Sequence, residues 1–510
     1  MQKWHVYRKN RWFSVTFTCS ISTFQGIDHT TPKYDTISDT SKSCEGVTAW
    51  LLRSSSTVNV VSSFAPHSRN WRRIACSSRQ MSSDRFDLVV YGVTGITGAL
   101  IFEYLVKSEY SSVKYAVVGR SEAKLKAALK SIGEMCGRNL EATPIIIADS
   151  NKPETLTAMA KRTKVVINAV GPFRLHGEAV VKAAIENGAH HIDVAGEPAW
   201  IEKMEAEYSQ LAREKGVYVV GACGFDSVPC DLGLHFLKRN FQGDLSHVET
   251  VIDTSYGKAG YNFSATTYDS LLLGLSEAKL GELKLLRKKI MPERMRLSPF
   301  RAAKRPLVSF HDDVQGYVIP FHGADKSIVT RSQYFDFKEH GTRPVRVDTL
   351  YRTQSYWWAK GTLLWMAALN GLVQYDSLKS FMKKHPQLCS FNFFTEEGPT
   401  REQLNQSSFT YWFIGHGWKE KLPAFEEHKC PPDVKVIAKC EGPDPAYLTT
   451  ASCVVSSAIT LLEDQDLLPS SGGVFTTASA FGNTRLYERL ASFGITFNLV
   501  QQDKLSKAHL

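Results

Sequence analysis

Long uncharged apolar runs are missing from this 510-residue chain. No stretch of 18 or more apolar residues is free of charge, so no membrane-spanning helix is expected. Cysteine is sparse: ten residues, with no Cys-x-x-Cys and no His/Cys cluster at zinc-ligand spacing. That excludes the common structural zinc modules and fits reduced thiols in an intracellular compartment. The adjacent pair His190-His191 changes nothing, because neighbours on a strand point to opposite faces. No metal is expected. Charge of one sign is also missing from most of the chain. The net charge is +10, but residues 1–80 hold 11 Lys/Arg against 4 Asp/Glu, which leaves only +3 on the other 430 residues. A nearly neutral body excludes a nucleic-acid polyanion as the obvious partner.

Acidic residues are absent from 1–27 and again from 46–80, where Lys3, Arg8, Lys9, Arg11, Arg53, Arg69, Arg72, Arg73 and Arg79 lie among many of the 14 serines of residues 1–80. An Arg-rich, Ser-rich, acid-poor segment reads as a mitochondrial targeting sequence. Asp28, Asp35, Asp39 and Glu45 interrupt it. The competing reading is a disordered leader, or sequence upstream of a start at Met81. Either way, residues 1–80 stand apart from the fold. The remainder is long and apolar enough for two or three domains with real cores.

What is present begins at residue 86. Phe86–Tyr91 (FDLVVY) reads as a buried strand, Gly92-Val93-Thr94-Gly95-Ile96-Thr97-Gly98 as a turn, and Ala99–Lys107 as a helix with apolar i, i+4 pairs. A strand, a glycine loop and a helix N-terminus together cradle a dinucleotide pyrophosphate: glycines admit the phosphates to the backbone, and the helix offers free N–H groups. The spacing G-x-x-G-x-x-G departs from the usual G-x-G-x-x-G, so a purely structural turn is the alternative. A second strand, Tyr115–Val118, runs into Gly119-Arg120-Ser121. An NAD site usually places Asp or Glu here to hold the ribose 2′-hydroxyl, whereas arginine pairs with a 2′-phosphate. NADP(H) is therefore favoured over NAD(H), and a solvated Arg120 opening a helix is the bland reading.

Further strands follow at Ile145–Asp149, at Val165–Phe173 running into a turn, and at His191–Val194 and Val217–Val220, separated by helical stretches. Six strands alternating with helices make a Rossmann-type, doubly wound parallel sheet, whose ligands sit beyond the C-terminal strand ends. That edge would collect the glycine loop, Arg120, Ser121, Asp149, Asn168 to Phe173, Glu197 and Gly224 to Asp226.

The ordered set "YGVTGITG", "VVGRS", "NAVGPFRLHGEAVVKAA", "HHIDVAGEP" and "GFDSVPCDLG", with "CEGPDPAYLTTASCVVSSAITLLED" and "GGVFTTASAFG" near the C-terminus, resembles the saccharopine dehydrogenase-like oxidoreductases. It covers most of residues 84–500. That family includes lysine-pathway saccharopine dehydrogenases, trans-acting enoyl reductases of lipid pathways, and animal and plant members of unassigned substrate, some on lipid droplets, mitochondria or membranes. This chain looks most like the last group. The resemblance implies a cofactor role for Gly92, Thr94, Gly95, Ile96, Gly98 and Arg120, and for Asn168, Ala169 and Gly171 near the nicotinamide. Ser121 and Asp149 join them by position. It supplies no catalytic residue.

The expected layout is a dinucleotide-binding domain at 81–240, an inserted α+β substrate or dimerisation domain at 241–432, and a return to the sheet domain at 433–510. The insert shows alternating runs at His247–Asp253 and Val345–Tyr351 and a long charged helix at Thr266–Ile290. Gly257–Thr267 lines a pocket or simply enters that helix. Tyr356–Tyr375, "YWWAKGTLLWMAALNGLVQY", is the most apolar stretch. It is a buried helix or pocket wall, the simpler reading, or a segment that dips into a lipid surface. Val434–Cys440 and Gly494–Val500 are expected as strands and Thr449–Leu462 as a helix.

A hydride transfer needs a proton donor or polarising group near the acceptor. Tyr-x-x-x-Lys pairs occur at Tyr110/Lys114, Tyr334/Lys338, Tyr356/Lys360 and Tyr375/Lys379, in contexts too scattered to carry a role. Glu197 and Asp226 at strand ends, and His176 after the Gly171-Pro172 turn, are the catalytic candidates. Helix capping is the structural reading of Asp226. The expected activity is NADP(H)-dependent hydride transfer on a lipid-like carbonyl or enoyl substrate. The alternatives are a lysine-pathway saccharopine dehydrogenase, which needs basic pocket residues, and a non-catalytic nucleotide-binding scaffold at a lipid surface. Mitochondrion or lipid droplet is the expected location, with a homodimer as a further expectation.

Overall fold

A computed structural model describes residues 85–504, apart from 277–279, 303 and 424–425. The segment read at 1–80 lies outside the described residues. The glycine loop sits in a seven-stranded, all-parallel sheet. Its strands are β1 (Phe86–Tyr91), β2 (Tyr115–Gly119), β3 (Ile145–Ile147), β4 (Thr163–Asn168), β5 (His190–Asp193), β6 (Tyr218–Val220) and β15 (Gly473–Phe475), in the order β15-β6-β5-β4-β1-β2-β3. The helices between them are α1 (Ile96–Lys107), α2 (Glu122–Cys136), α3 (Pro153–Lys161), α4 (Phe173–Glu186) and α5 (Pro198–Lys215), followed by α6 (Val228–Asn240). Continuous apolar strands such as FDLVVY are what a sheet covered on both faces requires. The order reverses between β1 and β4, and a ligand crevice opens beyond the strand ends at such a point.

A second seven-stranded sheet is mixed. Its strands are β7 (Asp244–Ser255), β9 (Ser309–His311), β10 (Gly316–Pro320), β11 (Arg346–Thr353), β13 (Ser408–Trp418), β14 (Val434–Pro443) and β16 (Thr496–Lys504), in the order β16-β14-β13-β7-β11-β10-β9. A two-stranded ribbon, β8 (Phe263–Ser264) with β12 (Phe394–Thr395), stands apart. The remaining helices used below are α7 (Ala265–Ser276), α8 (Leu280–Ile290), α9 (Asp325–His340), α10 (Tyr356–Leu372) and α11 (Asp376–Lys384).

Two expectations are corrected. Residues 433–510 do not simply return to the first sheet. β14 and β16 extend the second sheet, and only β15 joins the first, as its seventh strand. The second, mixed-sheet domain shares its core with the first. One apolar cluster runs from Leu88, Val90 and Ile101 through Leu234 to Phe413, Val436 and Ile459. α6 joins the layers so closely that a Cβ on Gly233 would fall 1.9 Å from the Phe413 ring. The helix expected at Thr266–Ile290 is two, α7 and α8. Pro445–Glu463 is the one described helical stretch long and apolar enough to cross a membrane. It is buried, with its Thr450–Glu463 helix against α1, β4 and β5.

Candidate functional site

The glycines of the loop have separate reasons. Gly92 has φ +106°, a left-handed backbone that side chains rarely adopt. A Cβ on Gly98 would lie 2.1 Å from the Gly92 carbonyl oxygen, so helix and loop touch backbone to backbone. At Gly95, by contrast, a Cβ would meet only the Gly92 oxygen at 3.5 Å, and Thr94 and Gly95 are exposed. The space in front of Gly95 is open. α1 begins there with no side-chain cap and no acid in its first turn, so its amides face that space.

The flanking strand ends complete the cradle. Arg120 follows β2, is exposed, and has no hydrogen-bond or ion-pair partner among the described residues. Ser121 is engaged locally: it caps α2, accepting the Lys124 amide at 3.4 Å. The Asp149 carboxylate is turned into its own loop, accepting the Asn151 amide at 3.0 Å. Asn168 ends β4, and its Oδ1 accepts the Val170 amide at 3.1 Å. Its buried Nδ2 has no partner. A buried donor left without a partner is one that a bound ligand would satisfy. Ala169 fixes the same turn, its amide donating to the Tyr91 carbonyl at 2.9 Å. Gly171 precedes Pro172, which opens α4. These residues fit a dinucleotide: the glycine loop and α1 would hold the pyrophosphate, Arg120 would meet a 2′-phosphate, and Asn168 to Gly171 would lie toward the nicotinamide.

The catalytic candidates separate once placed. Glu197 is buried, and its two oxygens accept the Phe173 and Arg174 amides at 3.0 and 3.3 Å. It holds the N-terminus of α4, with the Arg174 guanidinium 3.8 Å away. His176 lies in the first turn of α4, half-buried. Asp226 is no helix cap: α6 starts at Ser227 with no side-chain cap, and the Ser227 hydroxyl donates to the Asp226 carbonyl. Its carboxyl is open to solvent beside Gly196, yet burial among surrounding atoms raises its pKa.

Sequence reasoning missed two groups behind this edge. Asp193, at the end of β5, accepts the Ala195 and Ala222 amides, both at 2.9 Å, and so clamps two edge loops together. Ala222 is held at φ +58°. Burial pushes the Asp193 carboxyl up to about 7, and burial also drops His191, 3.6 Å away, to about 3. Asp325, the first residue of α9, accepts the Tyr411 hydroxyl at 2.6 Å while its other oxygen is buried without a partner. The "HHID" strand end was a usable signal for Asp193. Nothing local marks Asp325, since its partner is 86 residues away.

Beside the loop sits the β8–β12 ribbon. A Cβ on Gly398 would lie 2.7 Å from Ile96 and 3.6 Å from Ser264. Gly257–Thr267 thus flanks the cofactor loop, tied down by Gln403, Gln406, Asp444 and Tyr447. Three basic residues of the second region pair with glutamates: Arg287 with Glu202, Lys289 with Glu207, and Arg305 with Glu249. Among the described residues no group of three or more His, Cys, Asp or Glu is placed to hold a metal ion.

Residues 88–220 match the family model described as the saccharopine dehydrogenase NADP binding domain. The chain is 48% identical over 418 residues to "Lipid droplet localized protein" of Caenorhabditis elegans, covering 81% of this chain and 98% of that protein. It is 34% identical over 429 residues to "Saccharopine dehydrogenase-like oxidoreductase" of Rattus norvegicus, covering 82% and 98%. A plant relative from Arabidopsis thaliana, whose name includes "mitochondrial saccharopine dehydrogenase-like oxidoreductase", is 29% identical over 449 residues and covers 82% and 97%. With a glycine loop, an arginine at the second strand end and an NADP-binding domain in one parallel sheet, this chain belongs to the saccharopine dehydrogenase-like oxidoreductases.

Proposed function

We propose that this oxidoreductase transfers hydride between NADP(H) and an apolar, lipid-like carbonyl or enoyl substrate in the cleft beyond β4, β5 and β6. The observation that carries the reading is Asp226, an open carboxyl at that edge with no cation in ion-pair range among the described residues. Bound NADP(H) supplies the hydride. The chain's own part is to fix the nucleotide through the glycine loop, Arg120 and Asn168, and to hold a proton at the Asp226 carboxyl for the substrate oxygen or carbon. Glu197 acts through the position of α4, and Asp193 through the two loops it clamps.

A lysine-pathway substrate with three carboxylates is disfavoured. Arg287, Lys289 and Arg305 of the second region are already paired with Glu202, Glu207 and Glu249. A lipid droplet or mitochondrial location follows the names of the worm and plant relatives. The test is a fluorescence titration of the chain with NADPH and NADH, alongside Arg120→Ala, followed by a screen of ketone and enone lipids with Asp226→Asn as control. Losing one charge-assisted contact should weaken NADPH roughly ten- to hundred-fold and leave NADH unchanged. Failure to bind either nucleotide would leave only a scaffold.

A further inference from the structure

We infer that α10 and the segment that follows it form a docking surface for an anionic phospholipid interface. The surface deepens the function proposed above, and rests on it only for the idea that the substrate is dissolved in lipid. The expectation of a buried helix at 356–375 is overturned. Of the 17 residues of α10 only Ala359 and Leu369 are buried. Trp357, Gly361, Leu364, Ala368 and Leu372 recur at helical spacing and are all exposed, Trp357 to 76% and Leu364 to 73%. Phe381, Leu388 and Phe391 continue the pattern beyond it. Ten of the nineteen large apolar side chains exposed among the described residues fall within 357–393. Scattered exposed apolar residues need no explanation, but a concentration of this kind marks an interaction surface.

Charge selects the occupant. Residues 356–393 contain Lys360, Lys379, Lys383 and Lys384 against the single acid Asp376. Lys360 stands 4.5 Å from the Tyr356 ring centre and 5.5 Å from that of Trp357. Tryptophan, tyrosine and lysine beside an aliphatic stripe is the composition of a helix lying in a headgroup layer. A second copy of this chain fits less well, because a two-fold contact would bring the lysines together with one acid per copy to offset them. The element is anchored rather than loose. Tyr268, Leu272, Leu369, Val373, Met382 and Phe394 form a cluster beneath it. Phe394 belongs to β12, whose ribbon reaches the glycine loop through Ser264, Gly398 and Ile96. The cluster that anchors α10 is thus tied to the ribbon beside the cofactor loop.

The test is flotation of the full chain with phosphatidylcholine vesicles, neutral or containing roughly a third phosphatidylserine. Binding should be stronger on the anionic vesicles. The double variant Trp357→Glu/Leu364→Glu changes two exposed positions, so melting temperature and NADPH titration should stay as in the parent while vesicle binding falls at least ~10-fold. The triple variant Lys360→Gln/Lys383→Gln/Lys384→Gln should lose about five-fold per lysine on anionic vesicles and nothing on neutral ones. Equal binding to both vesicle types, or no loss in the double variant, would overturn the proposal. So would a dimer of the parent chain that the double variant converts to monomer by light scattering. Loss of NADPH binding with vesicle binding intact would refute the enzymatic reading alone.

Discussion

Gly95→Ala separates the two meanings of a glycine loop. If glycine is there only to let the chain turn, alanine should disturb the fold. Gly95 does not need a special backbone: its φ is −93°, which alanine adopts freely. Its new methyl would meet one atom, the Gly92 oxygen at 3.5 Å, an ordinary contact. Alanine is a poorer N-cap for α1 than glycine, while the unfolded chain loses freedom, so the two effects offset and the variant should melt within about 1 kcal/mol of the parent. The same methyl would project into the opening in front of α1, where the pyrophosphate must approach the backbone. Displacing one charge-assisted N–H contact removes about 1.5–3 kcal/mol, a ten- to hundred-fold loss of NADPH affinity. The assay is thermal unfolding without ligand, paired with an NADPH fluorescence titration. Unchanged affinity in a well-folded Gly95→Ala protein would refute the phosphate-holding role. A large drop in melting temperature would instead show that the glycine is required by the turn itself.

Other substitutions follow from the same edge. Gly98→Ala places a methyl 2.1 Å from the Gly92 oxygen, so helix and loop must part. It should destabilise by about 1–3 kcal/mol and weaken NADPH binding as well, and a neutral melt would contradict the backbone contact. Glu197→Ala removes the acceptor for two α4 amides and should cost about 1–2 kcal/mol, whereas Glu197→Gln keeps an acceptor and should retain most turnover. A hundred-fold loss of kcat in the glutamine variant would restore Glu197 as a catalytic acid. Asp193 is held up to about 7 from an ordinary 3.8, so the folded state binds its proton more tightly than the unfolded chain. The stabilisation this gives is complete at low pH and is lost as pH rises from about 4 through 7, with an upper limit of about 4 kcal/mol. Asp193→Asn keeps an acceptor for the Ala195 and Ala222 amides without the ionisation. Its stability relative to the parent should therefore rise between about pH 5 and pH 8 in denaturant titrations, and a fall would contradict the raised pKa.

The parallel sheet is legible in the sequence because its signals are local. An apolar hexamer, a glycine at the turn and an amphipathic helix occur within 22 residues at Phe86–Lys107, and the pattern repeats down to Tyr218–Val220. The seventh strand is not legible. Gly473–Phe475 is three residues long and pairs with a strand about 250 positions earlier. The sheet to which β14 and β16 belong is hidden for the same reason, since a strand's period tells its faces and not its sheet. At the site, the backbone-determined positions Gly92 and Gly98 can be read from residue type. Ser121 and Asp149 cannot: serine and aspartate at a strand end serve a ligand or a local turn equally well, and hydrogen bonding decides. Asp226 looks like a cap because Ser-Val-Pro follows it, whereas Ser227 holds the N-cap position of α6 and the Asp226 carboxyl lies beside Gly196.

For α10 the obstacle is different. A run with one charge in twenty residues carries the composition of a core helix, and composition cannot report what lies on the far side. The structure supplies that side. α10 buries one narrow stripe against α7 and leaves its tryptophans Trp357 and Trp358 in the open. The same distinction bears on the substrate. Arg287, Lys289 and Arg305 are already engaged with glutamates. The apolar acceptor proposed above needs no such cation. On the reading proposed above, Asp226, exposed at the sheet edge beside Gly196 with its carboxyl pKa raised by the surrounding atoms, is the group that would supply a proton where hydride arrives. Asp226→Asn should accordingly leave NADPH affinity within about two-fold and reduce kcat by about 100-fold or more on an apolar enone or ketone. Comparable loss in both quantities would move Asp226 from chemistry to cofactor binding.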